Sequence, residues 1–584
     1  MATYIANNQS RDTITLMLSK AEVVEHAETN AINLPQGFEK GQVFTPTFLA
    51  SWVADLLKEQ LGEDWSGKIL DPACGDGELL DAAVAKLPKS KLYGVDIDAS
   101  ATGSARSRLS RSATIKTADM LMCPPANKAG KPLTFGALVS NPPWGADLLH
   151  SREALKKLGY SLANGQFDSW SLFVEASLSV LDPGGVAAFI LPDSIFAPEH
   201  TATRELIAQN FSIELIARLG EGIFRGVYRG TTVLVVRNAK PEPNHLVEVF
   251  RLAKSERAAV MTGCLDLQEA RMRDRHFAPQ GRFVSDTRAR WDIDVRSSDQ
   301  KILERMESEG GNWSELILSG RGVELSKKGL VKACRSCGHA TPAPTRPRDV
   351  ICAGCGRTAH SDEMLTERIV VGEPDCIPGF MPLIVGEDIG RYDLSCSRQI
   401  KLDVPGINYK DQKLYGQERL LVRKTGIGLK ATVTKKVAAS NQVVFHYVPR
   451  SKDMGFFLYY VLGVLSSRTM FAYHLRKSGE NEWRSHPYVT PKSLAALPIP
   501  TPEVGTQAWR QAVEIANRAR KHLRYQGRSK RLDLEIEGLV AGLYGLGQSD
   551  LGWVKKVICE AQNLEPMRAL GEFDASSISI EVVS

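Results

Sequence analysis

The stretch Ile69-Leu70-Asp71-Pro72-Ala73-Cys74-Gly75-Asp76-Gly77 joins a short apolar run to a tight turn that contains two glycines. An apolar run of this length is typical of a buried strand, and the apolar spacing over residues 77–87 predicts a helix directly after the turn. Glycines at this point let the backbone approach a ligand at the carboxyl end of the strand. The stretch therefore predicts the first strand–turn–helix unit of an α/β domain, with a ligand site at the turn.

Strands and helices continue to alternate outward from this unit, between residues 68 and 240. Apolar runs predict strands at 68–71, 91–95, 114–117, 136–140, 186–191, 213–219 and 231–236, with helices at 98–110, 166–181 and 200–210. Such alternation predicts a parallel sheet covered by helices on both faces. Only residues 220–230 separate the last two strands, which is too short for a helical crossover, so these strands are expected to pair antiparallel. Seven strands with this terminal pair are the arrangement of class I methyltransferases, and a plain dinucleotide-binding fold lacks it.

The glycine turn does not fit a dinucleotide site, because Leu80 stands where the third glycine of the G-x-G-x-x-G fingerprint belongs. Three acids, Asp71, Asp76 and Glu78, crowd the start of the helix, where a pyrophosphate would need an end free of negative charge. Acids there suit a cationic ligand. S-adenosylmethionine (AdoMet), which carries a sulfonium and an ammonium group, fits this requirement.

Two later carboxylates fit the same ligand. Asp96 ends the second predicted strand, a position that typically accepts hydrogen bonds from ribose hydroxyls. Asp119 follows the third strand and is placed to accept from the adenine amino group of the cofactor. The alternative interpretation is an ordinary α/β turn whose acids, including Asp98, only cap helices.

Residues 140–145, Ser-Asn-Pro-Pro-Trp-Gly, follow the predicted strand 136–140. Two consecutive prolines fix φ and supply no N–H donor, so the turn is stiff and presents acceptors. The Asn141 side-chain oxygen and the Pro142 carbonyl can accept from one exocyclic amino group, and the Trp144 ring offers a face for a flat heterocycle. The turn predicts a site that holds an amino group on an aromatic base.

Composition, net charge and cysteine usage limit the class of protein and its cellular location. The chain has 584 residues, 43% hydrophobic and 24% charged, as in an ordinary soluble protein with several domains. Because the net charge is only +6, a nucleic-acid surface must be a local patch. The start of the chain has no signal pattern, and the longest apolar stretch, 455–465, is too short to span a bilayer. Paired cysteines without such a signal predict a reducing cytoplasm, with no membrane partner.

The pairs Cys334-x-x-Cys337-Gly338 and Cys352-x-x-Cys355-Gly356 are two knuckles separated by 14 residues. Four thiolates at this spacing predict a closed, tetrahedral, structural Zn²⁺ site in a zinc ribbon over 331–360. Basic residues around it predict phosphate contacts, with a solvated face as the alternative: Lys327, Lys328, Arg335, Arg423, Lys424, Lys430 and Lys435. The ribbon either extends a DNA footprint or only braces its domain.

In chain order, Phe44-Thr45-Pro46, Asp71-Pro72-x-Cys74-Gly75-x-Gly77, Asp96 and Asn141-Pro142-Pro143-Trp144 resemble the motifs of γ-class, TaqI-like N6-adenine DNA methyltransferases. Residues 321–324, 384–389, 421–426, 497–500 and 537–546 are similar to landmarks of the TaqI-like specificity domain and of the tail of these proteins. The resemblance covers most of residues 40–550. The zinc ribbon is not a constant part of the family pattern and is interpreted as an insertion.

The predicted organisation has four parts: an N-terminal arm (1–40), a class I AdoMet-dependent catalytic domain (41–240), a mixed α+β target-recognition domain (245–500) that carries the ribbon, and a helical C-terminal region (505–584).

The resemblance also implies residue roles. Asn141, Pro142, Pro143 and Trp144 form the catalytic turn, which holds the N6 amino group of a flipped adenine. Val43, Trp144 and Phe196 contact that base, with Ile195 as the competing match for Phe196. AdoMet is bound by Phe44, Thr45, Pro46, Asp71, Ala73, Cys74, Gly75, Gly77, Asp96, Ile97, Asp119 and Asn141.

The function expected from the sequence is therefore site-specific methylation of adenine N6 in double-stranded DNA, as the modification component of a restriction–modification or phage-defence system. A separate restriction endonuclease or defence subunit is the expected protein partner. Three alternatives stay open: a catalytically silent DNA-binding subunit, a protein glutamine-N5 methyltransferase and a DNA cytosine-N4 methyltransferase. Glutamine-N5 enzymes are small and lack a long second domain, and cytosine-N4 enzymes more often begin the turn with serine.

Overall fold

A computed structural model gives the structure of the protein. It describes residues 43–109, 113–127, 130–164, 167–227, 229–285, 291–344, 347–372, 377–410, 412–426, 428–451, 454–478, 489–560 and 568–583. The chain divides into two compact units, Met1–Ser297 and Ser298–Ser584. The predicted arm, 1–40, lies outside the described residues.

The first unit is an α/β sheet domain. Its strands are β1 (Lys68–Asp71), β2 (Lys91–Asp96), β3 (Ala113–Thr117), β4 (Phe135–Ser140), β5 (Leu181–Pro192), β6 (Ser212–Gly220), β7 (Thr231–Arg237), β8 (Leu246–Arg251) and β9 (His276–Pro279). Its helices are α1 (Thr47–Leu61), α2 (Glu78–Lys86), α3 (Ala99–Arg108), α4 (Arg152–Lys157), α5 (Ser169–Ser179), α6 (Thr201–Asn210), α7 (Arg257–Met261), α8 (Leu267–Asp274) and α9 (Gln280–Ser285).

The sheet runs in the order β3-β2-β1-β4-β5-β7-β6-β8-β9. Strands β1 to β5 pair parallel, whereas β7 is antiparallel to both β5 and β6. All seven predicted strands are present, and the antiparallel pair is confirmed. The first unit therefore has the class I methyltransferase arrangement.

The sheet does not end at residue 240. Strand β8 pairs parallel with β6, and β9 pairs antiparallel with β8. Val247, Val249 and Phe250 are fully buried there. The boundary predicted at residue 245 thus differs from the structure, in which residues 246–279 complete the first sheet.

The topology brings the predicted site residues together. Strand order reverses direction between β1 and β4, and the carboxyl ends of β1, β2 and β4 lie at one edge of the sheet. Open α/β sheets bind ligands at such a switch point. Asp71, Asp96 and Ser140 are the last residues of these three strands.

The second unit is a mixed α+β domain. Its strands are β10 (Ile317–Arg321), β11 (Leu330–Ala333), β12 (Ala340–Pro342), β13 (Asp349–Ile351), β14 (Thr358–His360), β15 (Leu365–Arg368), β16 (Val370–Val371), β17 (Phe380–Ile384), β18 (Arg398–Lys401), β19 (Arg419–Arg423), β20 (Ala431–Thr434), β21 (Ala439–Ser440) and β22 (Val444–Pro449). They form sheets in the orders β10-β22-β19-β20, β16-β18-β17-β21, β12-β11-β15 and β13-β14.

The helices of the second unit lie mainly after its strands. They are α10 (Ser297–Ser308), which begins at the boundary, α11 (Gly455–Leu465), α12 (Arg468–Ser478), α13 (Pro491–Ala495), α14 (Gln507–Arg524), α15 (Lys530–Leu543), α16 (Gln548–Glu560) and α17 (Arg568–Gly571). The helices predicted after residue 505 are present as α14, α15 and α16.

Within the described residues, no single helix is long and apolar enough to cross a membrane. By length and composition alone, one pair of helices, Gly455–Leu465 with Arg468–Lys477, would suffice together, and it bends by 65° at its break.

Candidate active site and metal centre

A cavity opens at the carboxyl edge of the first sheet. Its walls come from residues 43–45, the turn after β1, the ends of β2 and β3, residues 141–150 and helix α5. The predicted cofactor residues that line it are Phe44, Thr45, Asp71, Ala73, Cys74, Gly75, Asp96, Ile97, Asp119 and Asn141. Pro46 and Gly77 do not line it. Pro46 precedes the first turn of α1, and a Cβ at Gly77 would meet α3 at 3.3 Å.

The glycine turn leaves an open cradle in this cavity. Gly75 has a φ of +51°, and a Cβ built on it would meet no atom within 4 Å. Asp96 braces the turn, since its Oδ2 accepts from Gly75 N at 2.8 Å and its Oδ1 from Asp98 N at 2.9 Å. The backbone is therefore held so that a ligand can approach it closely.

The three acids of the turn are not equivalent. Arg108 pairs with Asp76 at 2.8 Å and with Glu78 at 2.6 Å, so its single positive charge offsets one of these two negative charges. Asp71 is fully buried and accepts only from Ala73 N, at 3.1 Å, among the described residues. Arg108 thus reduces the negative charge of the turn without removing it, and the buried Asp71 lies in the same cavity as Asp96.

Burial raises the pKa of Asp71 from its ordinary value of 3.8 to about 8, and the neighbouring Asp96 acts in the same direction. Without a cation, this carboxyl is therefore mostly protonated at neutral pH. A cationic ligand in the cavity would favour its ionised form.

This pKa predicts pH-dependent stability in the unliganded protein. An acid whose pKa rises on folding contributes stability that is complete below its ordinary pKa and is lost as pH rises through the folded value. Between about pH 5 and pH 8, the wild type is expected to lose about 1 kcal/mol per pH unit relative to Asp71→Asn, whose amide cannot ionise. Denaturant unfolding of both proteins across this range measures the difference. Parallel pH profiles would contradict the assignment.

Asp119 is held at the cavity wall by a residue that sequence reasoning missed. Its Oδ2 lies 2.9 Å from His150 Nε2, and its Oδ1 accepts from Leu121 N at 2.9 Å. His150 lines the cavity as well. The stretch after the Asn-Pro-Pro-Trp turn has no motif that would have indicated this pairing.

The side-chain oxygen of Asn141 is a hydrogen-bond acceptor without a donor among the described residues. Its Nδ2 donates to the Val43 carbonyl at 3.0 Å and to Thr45 Oγ1 at 3.2 Å. Because a carbonyl can only accept, these bonds fix which side of the amide carries oxygen. Asn141 Oδ1 is buried and has no hydrogen-bond partner among the described residues. A buried, unsatisfied acceptor is costly, so the site is built to receive a donor.

Helix α5 holds the rest of the Asn-Pro-Pro-Trp-Gly turn. Ser169 Oγ donates to the Pro143 carbonyl at 2.7 Å, and Asp168 Oδ1 accepts from Gly145 N at 2.7 Å. Gly145 has a φ of +67°, a conformation that favours glycine. The turn is therefore fixed on both sides of Trp144.

Phe224, rather than Phe196, packs against Trp144. The Trp144 and Phe224 ring centroids are 5.3 Å apart at an interplanar angle of 77°, an edge-to-face contact. Phe196 does not line the cavity, because its ring lies under the Arg218 guanidinium at 4.7 Å, and Ile195 is fully buried. The loop between β6 and β7 brings Phe224 to the turn, so this aromatic was missed and the prediction for Phe196 differs from the structure.

The four predicted metal ligands come together in the second unit. The Sγ atoms of Cys334, Cys337, Cys352 and Cys355 all lie within 4.8 Å of one another. The two knuckles are alike, since Gly338 N donates to the Cys334 carbonyl and Gly356 N to the Cys352 carbonyl, each at 2.8 Å. Both glycines have a φ of +72°. Four sulfur atoms in such a cluster could hold one metal ion.

The predicted DNA-binding residues lie on several elements of the second unit. Arg423 and Lys430 are paired across the β19–β20 hairpin, and Lys424 follows Arg423 at the same end. Lys435 lies at the other end, 3.6 Å from Glu418. Two more of these residues have local partners: Lys327 pairs with Glu387 at 2.8 Å, and Arg335 donates to the Glu363 carbonyl at 2.6 Å. Lys328 is exposed.

Two protein-family models match the chain, one in each unit. The N-6 DNA methylase family model matches residues 30–284, and the model of the TaqI-like C-terminal specificity domain matches residues 381–499. The chain carries an N-6 DNA methylase domain and a TaqI-like specificity domain. The resemblance to N-6 DNA methylases and to the TaqI-like specificity domain is thereby confirmed, whereas the zinc-ribbon insertion stays a prediction. The methylase match extends through β8 and β9, in agreement with the observed sheet.

Curated relatives of the chain include Type II methyltransferases. M.VspI of Vibrio sp. (strain 343) is 27% identical over 215 residues, covering 35% of this chain and 50% of that protein. M.BanIII of Aneurinibacillus aneurinilyticus is 27% identical over 243 residues, covering 36% of this chain and 42% of that protein. The chain spans about half the length of these curated relatives.

Among the solved structures that cover most of the chain, one reaches a TM-score of 0.50. It is a nuclease-deletion mutant of the Type ISP restriction-modification enzyme LlaGI in complex with a DNA substrate mimic. It has a TM-score of 0.50 at 13% identity and covers 83% of this chain and 47% of that chain. At this identity, the likeness concerns the fold alone.

Proposed function

We propose that the chain is an AdoMet-dependent DNA methyltransferase that modifies adenine N6, as the modification component of a restriction–modification or phage-defence system. The observation that carries the proposal is the buried, unpartnered Oδ1 of Asn141 beside the cavity. An exocyclic amino group is the donor that suits it.

The residues of the cavity fit AdoMet. The open cradle at Gly75 has room for a ligand, and the buried Asp71 carboxyl suits a cationic group. Asp96 and Asp119 line the same cavity, where they can accept from hydroxyl and amino groups. When bound, AdoMet supplies an activated methyl group.

The catalytic turn acts by position and by charge. Asn141 Oδ1 and the Pro142 carbonyl accept the two hydrogens of the amino group, which stabilises the positive charge that develops on the attacking nitrogen. No hydrogen bond within the described residues ends on the Pro142 carbonyl. Holding the nitrogen in place supplies much of the acceleration.

The target base must leave the duplex, because N6 is paired and stacked there. Trp144 offers a ring face to the extruded base, and Phe224 orients that ring by its edge contact. Stacking on an aromatic side chain contributes about 1–3 kcal/mol, which offsets part of the unstacking cost. In this proposal Phe224 takes the place that the sequence predicted for Phe196.

Double-stranded DNA is the proposed substrate, because a TaqI-like specificity domain follows the methylase domain. We place a structural Zn²⁺ ion at the four cysteines of that half. A nuclease or defence partner and a cytoplasmic location stay predictions.

A direct assay tests the function. The purified full chain is incubated with methyl-labelled AdoMet and genomic DNA from a host without adenine methylation, and the digested nucleosides are identified by mass spectrometry. N6-methyladenine in the DNA is the expected product. N4-methylcytosine would instead support the cytosine alternative, and transfer to protein alone the glutamine alternative. No transfer by a folded protein that binds DNA would favour the silent subunit.

A matched pair of phenylalanine variants tests the base pocket. Phe224→Ala is expected to lower the transfer rate about tenfold, because Trp144 loses the ring that orients it. Phe196→Ala is expected to leave the rate per folded molecule close to that of the wild type, since Phe196 lies outside the cavity. Single-turnover kinetics measure both, and the reverse order of effects would favour the original sequence prediction.

A further inference from the structure

The loop between β6 and β7 carries two exposed arginines, and one of them, Arg229, lies beside the catalytic turn. Of its residues, 221–227, 229 and 230 are described, and Phe224 contacts Trp144. Arg225 and Arg229 follow this phenylalanine in the loop, and both are exposed. The sequence-based prediction of DNA contacts included neither of them.

Arg229 lies directly against the turn. A Cβ built on Gly145 would lie 3.0 Å from Arg229 Nη2 and 3.2 Å from Nη1, so the guanidinium covers the residue after Trp144. The Arg229 side chain is nevertheless 51% exposed. A positive charge therefore stands at the rim of the pocket that receives the base.

Asp168 links this arginine to the turn. One of its oxygens, Oδ1, accepts from Gly145 N at 2.7 Å, and the other, Oδ2, lies 3.7 Å from Arg229 Nη1. An ion pair this long and this exposed contributes little stability by itself. A guanidinium has five N–H donors, so Arg229 can keep Asp168 and still offer a fork to a second anion.

We propose that Arg229 binds a DNA phosphate next to the extruded nucleotide, and that Asp168 connects this contact to the catalytic turn. The inference rests on the proposed function. A base that stacks on Trp144 stays tethered to its own sugar and phosphates, which must therefore pass the rim at Gly145. A planar guanidinium can bind a phosphate group in bidentate fashion. Arg225 adds a second exposed positive charge to the same loop.

Arg229 thus gives the methylase domain its own hold on the DNA backbone. Such a contact carries no sequence information, because phosphates are the same at every site. The phosphate contact of Arg229 affects DNA affinity and the position of the extruded base. Recognition of the DNA sequence depends on other residues.

The test compares Arg229→Gln with Arg273→Gln in the full chain. Arg273 is a matched control, because it lies in the same unit, is 48% exposed and pairs with Glu256 and Asp274 away from the cavity. Equilibrium binding to genomic DNA is measured over a NaCl series, and KM and kcat are measured with the same DNA. Calorimetry with AdoMet and thermal unfolding serve as checks on folding.

Arg229→Gln is expected to weaken DNA binding about tenfold and to reduce the salt slope by about one. AdoMet affinity and the melting temperature should stay at wild-type values. Arg273→Gln should leave every quantity unchanged. An Arg229→Gln variant with the DNA affinity and salt slope of Arg273→Gln would overturn the inference.

Asp168→Asn tests the connection to the turn. Its amide oxygen can still accept from Gly145 N, but the charge facing Arg229 is gone. The expected result is a lower kcat with a wild-type salt slope, and an unchanged kcat would refute the connection. Because the slope comes from binding, it can be read even if the wild type transfers no methyl group. A failure of the proposed function and a failure of this inference are therefore distinguishable.

Discussion

Replacement of Asn141 by alanine is expected to lower the rate of methyl transfer by about 100- to 1,000-fold. The substitution removes a buried side-chain acceptor that has no hydrogen-bond partner among the described residues. The loss should appear in the rate constant of methyl transfer that single-turnover assays measure. AdoMet affinity should change much less, because Asn141 is one of many residues that line the cavity.

Asn164→Ala is the control for this variant. Asn164 is an exposed asparagine of the same unit, and its amide donates to the Ser161 carbonyl, away from the cavity. Its rate should equal that of the wild type. If Asn141→Ala kept more than about a tenth of the wild-type rate, the amide would not have the role proposed for it.

The double replacement of Cys334 and Cys337 by serine is expected to remove the metal and unfold the ribbon. Apolar burial around the cluster is small: Cys334, Cys352 and Met364 are its buried residues, with Val350 and Ala359 packed beside them. A core of this size cannot stabilise a fold alone. Metal binding contributes about 10–16 kcal/mol in zinc-finger peptides, so folding of the ribbon should depend on it.

Three measurements check this result. Metal analysis should find about one zinc per wild-type chain and none in the variant. Limited proteolysis should cut the variant within 331–360 and leave the methylase domain intact, while Cys264→Ser, an exposed cysteine of the first unit, behaves as wild type. DNA affinity, measured separately, separates a ribbon that contacts DNA from one that braces its domain. A double variant whose ribbon resists protease would refute the metal dependence.

Local signals predicted most of the first unit. The apolar strands and the gap of residues 220–230 were sufficient for the class I arrangement. Strand β8 was not predicted, because Glu248 interrupts its apolar run. That carboxylate is buried, and Arg271 neutralises it at 2.7 Å from a distant helix. A buried charge pair between distant residues cannot be recognised from one segment alone.

The residues of the candidate sites also fall into a group that local sequence predicts and a group that depends on tertiary packing. The cysteine knuckles and the Asn-Pro-Pro-Trp turn carry their chemistry in adjacent residues, so spacing predicted them. The effect of Arg108 on Asp76 and Glu78, the hold of His150 on Asp119 and the contact of Phe224 with Trp144 all depend on tertiary packing. The match to Phe196 relied on position within a motif, and the sheet placed that ring under Arg218 instead.

The two added strands also protect the domain from aggregation. Without them, β6 would end the sheet with a long, mostly buried and apolar strand whose backbone groups lack partners. Exposed edges of that kind recruit other chains. Strand β9, four residues long and ending in Pro279, is instead a short and blunt edge. A fragment meant to isolate the methylase domain must therefore include residues 246–279. A truncation at residue 240 would expose the β6 edge and produce an aggregation-prone protein.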